Sequence, residues 1–380
     1  MSSVEEFRAE IRAWLADHLV GEFAELRGRG GPGREHEAFE GRLAWERHMA
    51  AHGWTCVGWP VEHGGRGASL EEQIAFHEEY ALADAPARVN HIGEQLLGPT
   101  LIAFGTEEQK QRFLPPIVAV EELWCQGYSE PDAGSDLANV RTRGVLSPDG
   151  SQWVVDGQKI WTSLAHEAQW CFVVARTEPG SRRHAGLSYL LVPLDGPGVE
   201  VRPIVQLTGT SEFNEVFFDG ARTDASHVVG EPGDGWRIAM ATLGFERGVS
   251  TLGQQVGFRR EWDALAELAR KNGAIADPLI RDRLVRAWID LEAMAASARR
   301  GVDPSVGKLH WAAWHRGLGE LAMDVCGAAS TVAAGEPYEL DDWQRLFLFS
   351  RADTIYAGSD EIQKNIVAER LLGLPKEARV

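Results

Sequence analysis

An α+β fold is predicted for this chain because its hydrophobic rhythm changes twice. Apolar residues recur at helical spacing up to about residue 120, give way to short apolar runs separated by turn signals, and then return to helical spacing. At the start, Ser3 and Glu6 form a capping-box pattern, and Val4, Phe7, Ile11, Trp14 and Leu15 fall on one helical face. Gly28 to Gly33 reads as a loop, and a second helical pattern runs from about Glu37 to His52. Ser69 and Glu72 make another capping box, ahead of a helix reaching to about Ala83.

The change of rhythm follows Glu122. From Trp153 to Phe218, apolar runs such as Cys171 to Ala175 and Leu187 to Val192 alternate with turn signals at Pro148-Asp149-Gly150, Asp156-Gly157, Pro179-Gly180, Asp195-Gly196 and Asp219-Gly220. This regular spacing predicts a small antiparallel barrel or sandwich. After Gly235, long helices are expected at about 236–271, 278–299, 304–329 and 342–372. Asp277-Pro278 and Asp303-Pro304 mark two of the breaks, with Pro at a helix start where its missing N–H does no harm. No internal repeat and no low-complexity tail interrupts the pattern.

At 380 residues with 44% hydrophobic content, the chain is long enough for two or three domains with sizeable cores. Its 56 acidic and 38 basic residues give a net charge of -18, which argues against nucleic acid or an anionic membrane as the main partner. Any phosphate-bearing ligand must then be met by local donors. Cys56, Cys125, Cys171 and Cys326 are widely spaced and form no CxxC pattern, so free thiols in a reducing compartment are expected. The acidic residues Glu5, Glu6, Glu10 and Asp17 differ from a secretory or transit signal, and no run approaches the length of a membrane span. The expected location is cytoplasmic.

The most informative segment runs from Trp124 to Asp136. Pro131 and Gly134 impose a turn, while Gly127, Ser129, Gly134 and Ser135 present small side chains and open backbone N–H groups. Such a surface suits an anionic or carbonyl-rich cofactor lying flat on it; an ordinary surface turn capped by Ser and Asp would carry the same residue types. The segment Tyr128-Ser129-Glu130-Pro131-Asp132-Ala133-Gly134-Ser135-Asp136 resembles a signature of the acyl-CoA dehydrogenase family. A second stretch, Tyr356-Ala357-Gly358-Ser359-Asp360-Glu361 through Arg370, resembles that family's C-terminal signature. The resemblance extends over essentially the whole chain, including Trp59-Pro60, Gly64 to Gly67, and Phe104 to Pro116.

The resemblance implies an N-terminal helical domain (1–121), a central antiparallel β-barrel domain (122–231) and a C-terminal four-helix bundle (232–380). It also implies FAD, an acyl-CoA substrate, and electron transfer to an electron-transferring flavoprotein. Gln126, Tyr128, Ser129, Gly134, Ser135, Trp161, Ser163, Ser359 and Glu361 match its cofactor-binding positions, with Trp161 and Ser163 flanking the isoalloxazine and Ser359 and Glu361 on the adenosine half. As a Trp in a chain with many, Trp161 fits a barrel core equally well. Ser135 and Tyr356 match substrate-binding positions.

Desaturation beside a thioester requires a base for the weakly acidic Cα proton while a hydride leaves Cβ for flavin N5. A carboxylate in an apolar, water-poor cleft gains the proton affinity for this task. Many relatives place a Glu directly after the signature Tyr, where this chain has Ala357. The isovaleryl- and long-chain-type branch supplies its base from an earlier helix, before an Arg, and Phe245-Glu246-Arg247 matches that place. Between Ile238 and Leu252 the only charged residues are Glu246 and Arg247, so Glu246 has no cation three or four positions away. A buried carboxylate without a helical partner is costly unless function uses it; an exposed charge, or one paired with a distant residue, is the structural alternative. Glu246 is therefore the expected base, and Arg247 the residue that orients it or the thioester.

Two family features depart from the pattern. The usual Arg-x-x-Phe-Gly, which reaches the FAD diphosphate of a neighbouring subunit, reads Arg270-Lys271-Asn272-Gly273, leaving Arg270 as the candidate substitute. The later Gln-x-x-Gly-Gly segment reads Asp324 to Ala328. Both bear on FAD sharing between subunits, so self-association and assembly with a homologous partner subunit both stay open. The alternative functions are an acyl-carrier-protein-dependent dehydrogenase, a flavin monooxygenase of the same fold, and a non-catalytic subunit of a heteromer. His48 and His52 have metal-ligand spacing, but no third ligand is evident in sequence and no metal is expected. Arg182-Arg183-His184 reads as a solvated loop that could also meet CoA phosphates. Gly244 and Gly248 bracket Glu246 and would leave room for a branched or ring-bearing acyl chain, although helix packing explains them equally well.

Overall fold

The structure is a computed structural model that describes residues 3–246, 250–335 and 338–376; for Ser3, Glu246, 250–253 and Arg299 only the backbone is described. The chain divides into two compact units, one comprising Met1–Gln73, Asp84–Gln206 and Thr210–Arg247, the other Ile74–Ala83, Leu207–Gly209 and Gly248–Val380.

The first unit opens with α1 (Ser3–His18) and α2 (Phe39–Ala51). The predicted one-sided pattern of α1 buries Phe7, Ile11 and Leu15. α3 (Leu70–Leu82) starts at the expected capping box: Ser69 N–H donates to Glu72 Oε2 (2.8 Å) and Glu72 N–H to Ser69 Oγ (3.3 Å). From Ile74 onward α3 belongs to the second unit. After a π-helical turn come α4 (Gly98–Phe104) and α5 (Glu107–Val118). Thr106 and Gln109 cap α5 reciprocally, and Gln109 Nε2 donates to the carbonyls of Ser226 and Val228 (2.6 and 2.7 Å). That side chain ties the helix to the end of the sheet.

The eight strands are β1 (Trp124–Gly127), β2 (Arg143–Leu146), β3 (Gln152–Ser163), β4 (Trp170–Arg176), β5 (Leu187–Pro193), β6 (Val199–Ile204), β7 (Phe213–Asp224) and β8 (Val228–Val229). They form one sheet in the order β6-β7-β3-β2-β4-β5-β8, with β1 beside β4. The predicted antiparallel barrel is thus corrected: the sheet is mixed, with β1 parallel to β4, β2 touching β4 in parallel, and an open strand order ending on β6 and β8. Turn signals reveal hairpins, which are antiparallel by construction, and β2–β3 and β4–β5 pair in that way around Pro148-Asp149-Gly150 and Pro179-Gly180; β6–β7 is also antiparallel, whereas Asp195-Gly196 joins β5 to β6, which are not neighbours. Pairings between strands distant in sequence leave no such signal. Asp156-Gly157 and Asp219-Gly220, predicted as turns, instead face each other across a register shift within β3 and β7. The positive φ of Gly220 accommodates this bulge, and its N–H donates to Asp156 Oδ1 (2.9 Å).

α6 (Gly235–Glu246) closes the first unit, burying Ile238 and Ala239 in a core shared with Leu97, Leu101, Phe172 and Tyr189. The second unit contains α7 (Ser250–Lys271), α8 (Pro278–Arg299), α9 (Pro304–Cys326), α10 (Asp342–Phe349) and α11 (Asp360–Ile366). α7, α8 and α9 pack on one another, and α10 and α11 pack against α9. Asp277 and Asp303 cap α8 and α9 with their side chains, so the two Pro breaks fall where expected. The helix predicted over 342–372 is broken, because Ala357 (φ 52°) and Gly358 (φ 83°) adopt left-handed backbone and Ser359 starts a new helix as its N-cap. All four cysteines are free. No helix among the described residues is long and apolar enough to cross a membrane.

Candidate active site

In the first unit the signature loop follows β1, which lies parallel to β4 with Gly127 opposite Val173. A Cβ at Gly127 would come within 2.8 Å of Cys171 Sγ, so this position needs glycine for the close strand approach. Beyond it, Glu130 and Ala133 exchange backbone hydrogen bonds (3.0 Å each), closing the turn around Pro131. Gly134 and Ser135 lie exposed at its tip.

The loop is held from beneath by a buried ion pair. Glu130 accepts hydrogen bonds from the N–H groups of Arg141 (2.6 Å) and Thr142 (2.9 Å) and from Lys159 Nζ (2.8 Å). Lys159, fully buried, also donates to the carbonyls of Tyr128 (3.0 Å) and Val174 (2.8 Å), so all three of its protons are used. Burial pushes the Glu130 carboxyl upward, but the charge and hydrogen bonds of Lys159 outweigh it and hold the group below its ordinary value. Burial likewise pulls the Lys159 ammonium down, against the opposing charge of Glu130.

A further contact joins this loop to β3. Ile160 N–H donates to the Ser129 carbonyl (3.0 Å), directly beside Trp161. Trp161 sits within a second register shift of β3 against β7, with φ 60°. Such a bulge re-aims a side chain out of the ladder, and the indole is 56% exposed, packing edge-on to Phe213 at 6.2 Å. The barrel-core alternative for Trp161 is thereby removed. Ser163 closes the strand opposite Phe213. The structure thus brings Gln126, Tyr128 and Ser129 together with Trp161 and Ser163. Buried nearby, Gln126 Nε2 and Thr162 Oγ1 have no hydrogen-bond partner among the described residues. An unpaired buried amide on a face lined by small residues and an exposed indole fits a carbonyl-rich planar group such as the flavin ring.

α6 is anchored to the same region. Thr242 Oγ1 lies 2.8 Å from Thr100 Oγ1 and 3.5 Å from Tyr189 OH, and Tyr189 meets Tyr128 edge-on at 6.3 Å. Glu246 is the last residue of α6, one helical turn after Thr242. Its side chain, and Arg247 entirely, lie outside the described residues.

In the second unit, Tyr356, Ser359 and Glu361 lie together around the Ala357-Gly358 turn, with Ser359 Oγ accepting from Ile362 N–H (3.4 Å) and Glu361 exposed in the first turn of α11. Tyr356 OH donates to Asp353, whose other oxygen lies 2.6 Å from His315 Nδ1; His315 Nε2 is 3.1 Å from Glu261 Oε2. Burial alone would lower the imidazole, but the hydrogen bonds and charges of Asp353 and Glu261 prevail and raise it to about 10. Arg270 is exposed at the end of α7 and pairs with Glu267 (3.4 Å), in the same turn. Sequence reasoning missed Lys159, Glu130 and His315; the one available signal was Lys159 itself, the single cation of strand Gln152–Ser163.

Models of the acyl-CoA dehydrogenase N-terminal, middle and C-terminal domains match residues 2–121, 125–221 and 233–372. Acyl-CoA dehydrogenase IpdE1 of Mycolicibacterium smegmatis is 66% identical over 100% of both chains. Among solved structures, a Tcur3481-Tcur3483 steroid acyl-CoA dehydrogenase aligns with a TM-score of 0.83 at 30% identity, covering 99% of each chain. The ChsE4-ChsE5 complex from Mycobacterium tuberculosis aligns at 0.80 and 28%, again over 99% of each. The latter is a complex of two named components, and the name of the former pairs two components. With the three domain models matched in order and two thirds of its residues shared with a full-length relative, the chain belongs to the acyl-CoA dehydrogenase family, whose members are flavin-dependent oxidoreductases.

Proposed function

We propose that this acyl-CoA dehydrogenase binds FAD, uses Glu246 as its base and acts on a bulky, ring-bearing acyl-CoA. The observation that carries the cofactor is the junction of the Tyr128-Ser129 loop with exposed Trp161 over the unpaired Gln126 amide. Gln126, Tyr128, Ser129, Gly134, Ser135, Trp161 and Ser163 would hold the flavin side, and Ser359 and Glu361 the adenosine side. Bound FAD would supply the acceptor for the Cβ hydride. Glu246 takes up the Cα proton; its own backbone N–H lies in the last turn of α6 and is committed to the helix, so the negative charge that develops on the thioester oxygen needs another donor. Arg247 orients that end, while Ser135 and Tyr356 contact the substrate.

The name of the Tcur3481-Tcur3483 relative supports a steroid-like acyl group, and Gly244, with open space where a Cβ would stand, leaves room near the end of α6. The two-component relatives, with the replacement of Arg-x-x-Phe-Gly by Arg270 to Gly273, favour assembly with a homologous partner subunit over a purely homomeric enzyme. The three-domain division at 121/122 and 231/232, electron transfer to an electron-transferring flavoprotein and a cytoplasmic location belong to the same reading.

The test is Glu246→Gln in the flavin-loaded protein, produced with and without a homologous subunit. Anaerobic titration with steroid-type, branched, short and long acyl-CoAs is expected to bleach the wild-type flavin with the ring-bearing thioester, while the variant keeps its flavin and stays oxidised. Retained turnover in the variant removes Glu246 from the role, and preferential bleaching by a short straight-chain thioester removes the substrate class.

A further inference from the structure

Three imidazoles meet at the C-terminal ends of α1 and α2. His18 is the last residue of α1, His48 lies in the last turn of α2, and His52 follows as its C-cap. One ring nitrogen from each belongs to a group whose members all lie within 4.8 Å of one another, and His18 Nδ1 is already 2.9 Å from His48 Nε2. Tetrahedral zinc with imidazole bonds of about 2.0–2.1 Å needs nitrogens about 3.3 Å apart, so small side-chain rotations suffice to close the group around an ion.

The surroundings favour a cation over protons. His52 Nδ1 lies 2.8 Å from the His48 carbonyl, which can only accept; Nδ1 therefore carries the proton and Nε2 keeps its lone pair. A backbone carbonyl fixing the far nitrogen in this way is how metal-bound histidines are commonly oriented. Both helix C-termini direct the negative ends of their dipoles at the cluster. Trp14 stacks on His18 at 4.6 Å, and Phe23 and Trp45 flank His48, so the rings are held on one side while exposed His52 leaves an approach from solvent. Among the described residues, none of the three histidines pairs with a carboxylate. The third ligand that the sequence did not disclose is His18, thirty positions before His48.

We propose that His18, His48 and His52 form a zinc site that clasps α1 to α2, with the fourth position left to water. The test uses the full-length protein, with any polyhistidine tag removed and treated with chelator, titrated calorimetrically with ZnCl2. The expected result is saturable binding of about one equivalent, weakened at least about tenfold in His52→Asn and in His18→Asn, the lower bound even for loss of an outer-shell partner. Zinc at a hundredfold excess over its dissociation constant should multiply the folded-to-unfolded ratio about a hundredfold and raise the wild-type Tm. Co2+ should give the intense visible bands of tetrahedral coordination, absent in His52→Asn. Because His52 is exposed, that variant keeps the test decisive if His18→Asn fails to fold. Failure to saturate, or equal zinc binding by wild type and His52→Asn, overturns the proposal.

Discussion

Lys159→Met should destabilise the first unit more than any surface substitution, and the amount follows from what the lysine leaves behind. Met preserves most of the side-chain volume, so no large cavity opens. The loss is electrostatic. The Tyr128 and Val174 carbonyls lose their ammonium donor, and Glu130, only 7% exposed, keeps two backbone N–H partners but no counter-charge. Removing one member of a buried ion pair costs about 3–5 kcal/mol, because the desolvation of the survivor is no longer offset. For a cooperative unit of this size, each kcal/mol lowers Tm by about 2–4 °C, giving a fall of roughly 6–20 °C. Urea unfolding followed by tryptophan fluorescence and circular dichroism measures the free energy directly. The double variant Lys159→Met/Glu130→Gln neutralises the orphaned carboxylate but keeps an acceptor for only one of the Arg141 and Thr142 N–H groups, which donate to different oxygens, so it should recover about 1 kcal/mol or more. Two results would refute the reasoning: a single variant within about 0.5 kcal/mol of wild type, or a double variant whose loss is the sum of the two singles. A flavin reading accompanies the stability reading. Because Lys159 and Ile160 fix the Tyr128 and Ser129 carbonyls, the variant should also copurify with less FAD at temperatures where it remains folded.

Two further predictions concern the neighbouring elements. His315 is raised from an ordinary value near 6.5 to about 10, so its stabilisation is complete below pH 6.5 and is lost as pH rises through 10. Between these limits unfolding releases its proton, and stability should fall by about 1.4 kcal/mol per pH unit more steeply in wild type than in His315→Gln; parallel curves over pH 7.5–9.5 (about two units within that window) refute the assignment. Trp161→Ala removes an indole that is more than half exposed, so stability should stay within about 0.5 kcal/mol of wild type while FAD dissociates more readily. A large loss of stability with unchanged flavin retention, measured by urea unfolding and by filtration of bound flavin, returns Trp161 to a structural role.

What was legible in the sequence was local. Capping boxes at Ser69-Glu72 and caps at Asp277 and Asp303 depend on atoms within a few residues of one another, and the helices began where those residues stand. Hairpin turns are local in the same sense, which is why β2–β3 and β4–β5 were foreseeable while the parallel partnership of β1 with β4 was not. Turn residues misled where a bulge needed the same chemistry: Asp156-Gly157 and Asp219-Gly220 supply positive or extended φ to a register shift, and nothing in a dipeptide distinguishes that use from a hairpin loop. The broken helix at 350–359 has a related cause, since Ala357 adopts left-handed backbone that its identity does not announce.

The site itself divides along the same line. Small residues and turn formers in the Trp124–Asp136 segment advertise a surface for a planar ligand, because that surface is made by the segment's own backbone. Its support is made elsewhere: Lys159 reaches Tyr128 and Glu130 across 31 and 29 residues, and His315 reaches Asp353 across 38. These buried charges are individually costly, and each is tolerable only because its partners arrive from other strands or helices. A signature motif therefore reports the atoms that face the ligand, whereas the ion pairs that hold those atoms in position have to be read from the folded chain. The same reasoning bears on the base. Ala357 occupies a left-handed turn between Tyr356 and the Ser359 cap, and the proposed base Glu246 would free that turn from holding a charged side chain in a strained backbone region. The proposed role makes a specific demand on α6, whose anchor through Thr242 to Thr100 and Tyr189 fixes the helix one turn before Glu246. Thr242→Val should accordingly slow proton abstraction without weakening acyl-CoA binding, seen as a fall in the rate of anaerobic flavin reduction at saturating substrate; an unchanged rate with a raised KM would show that α6 positions the substrate and not Glu246.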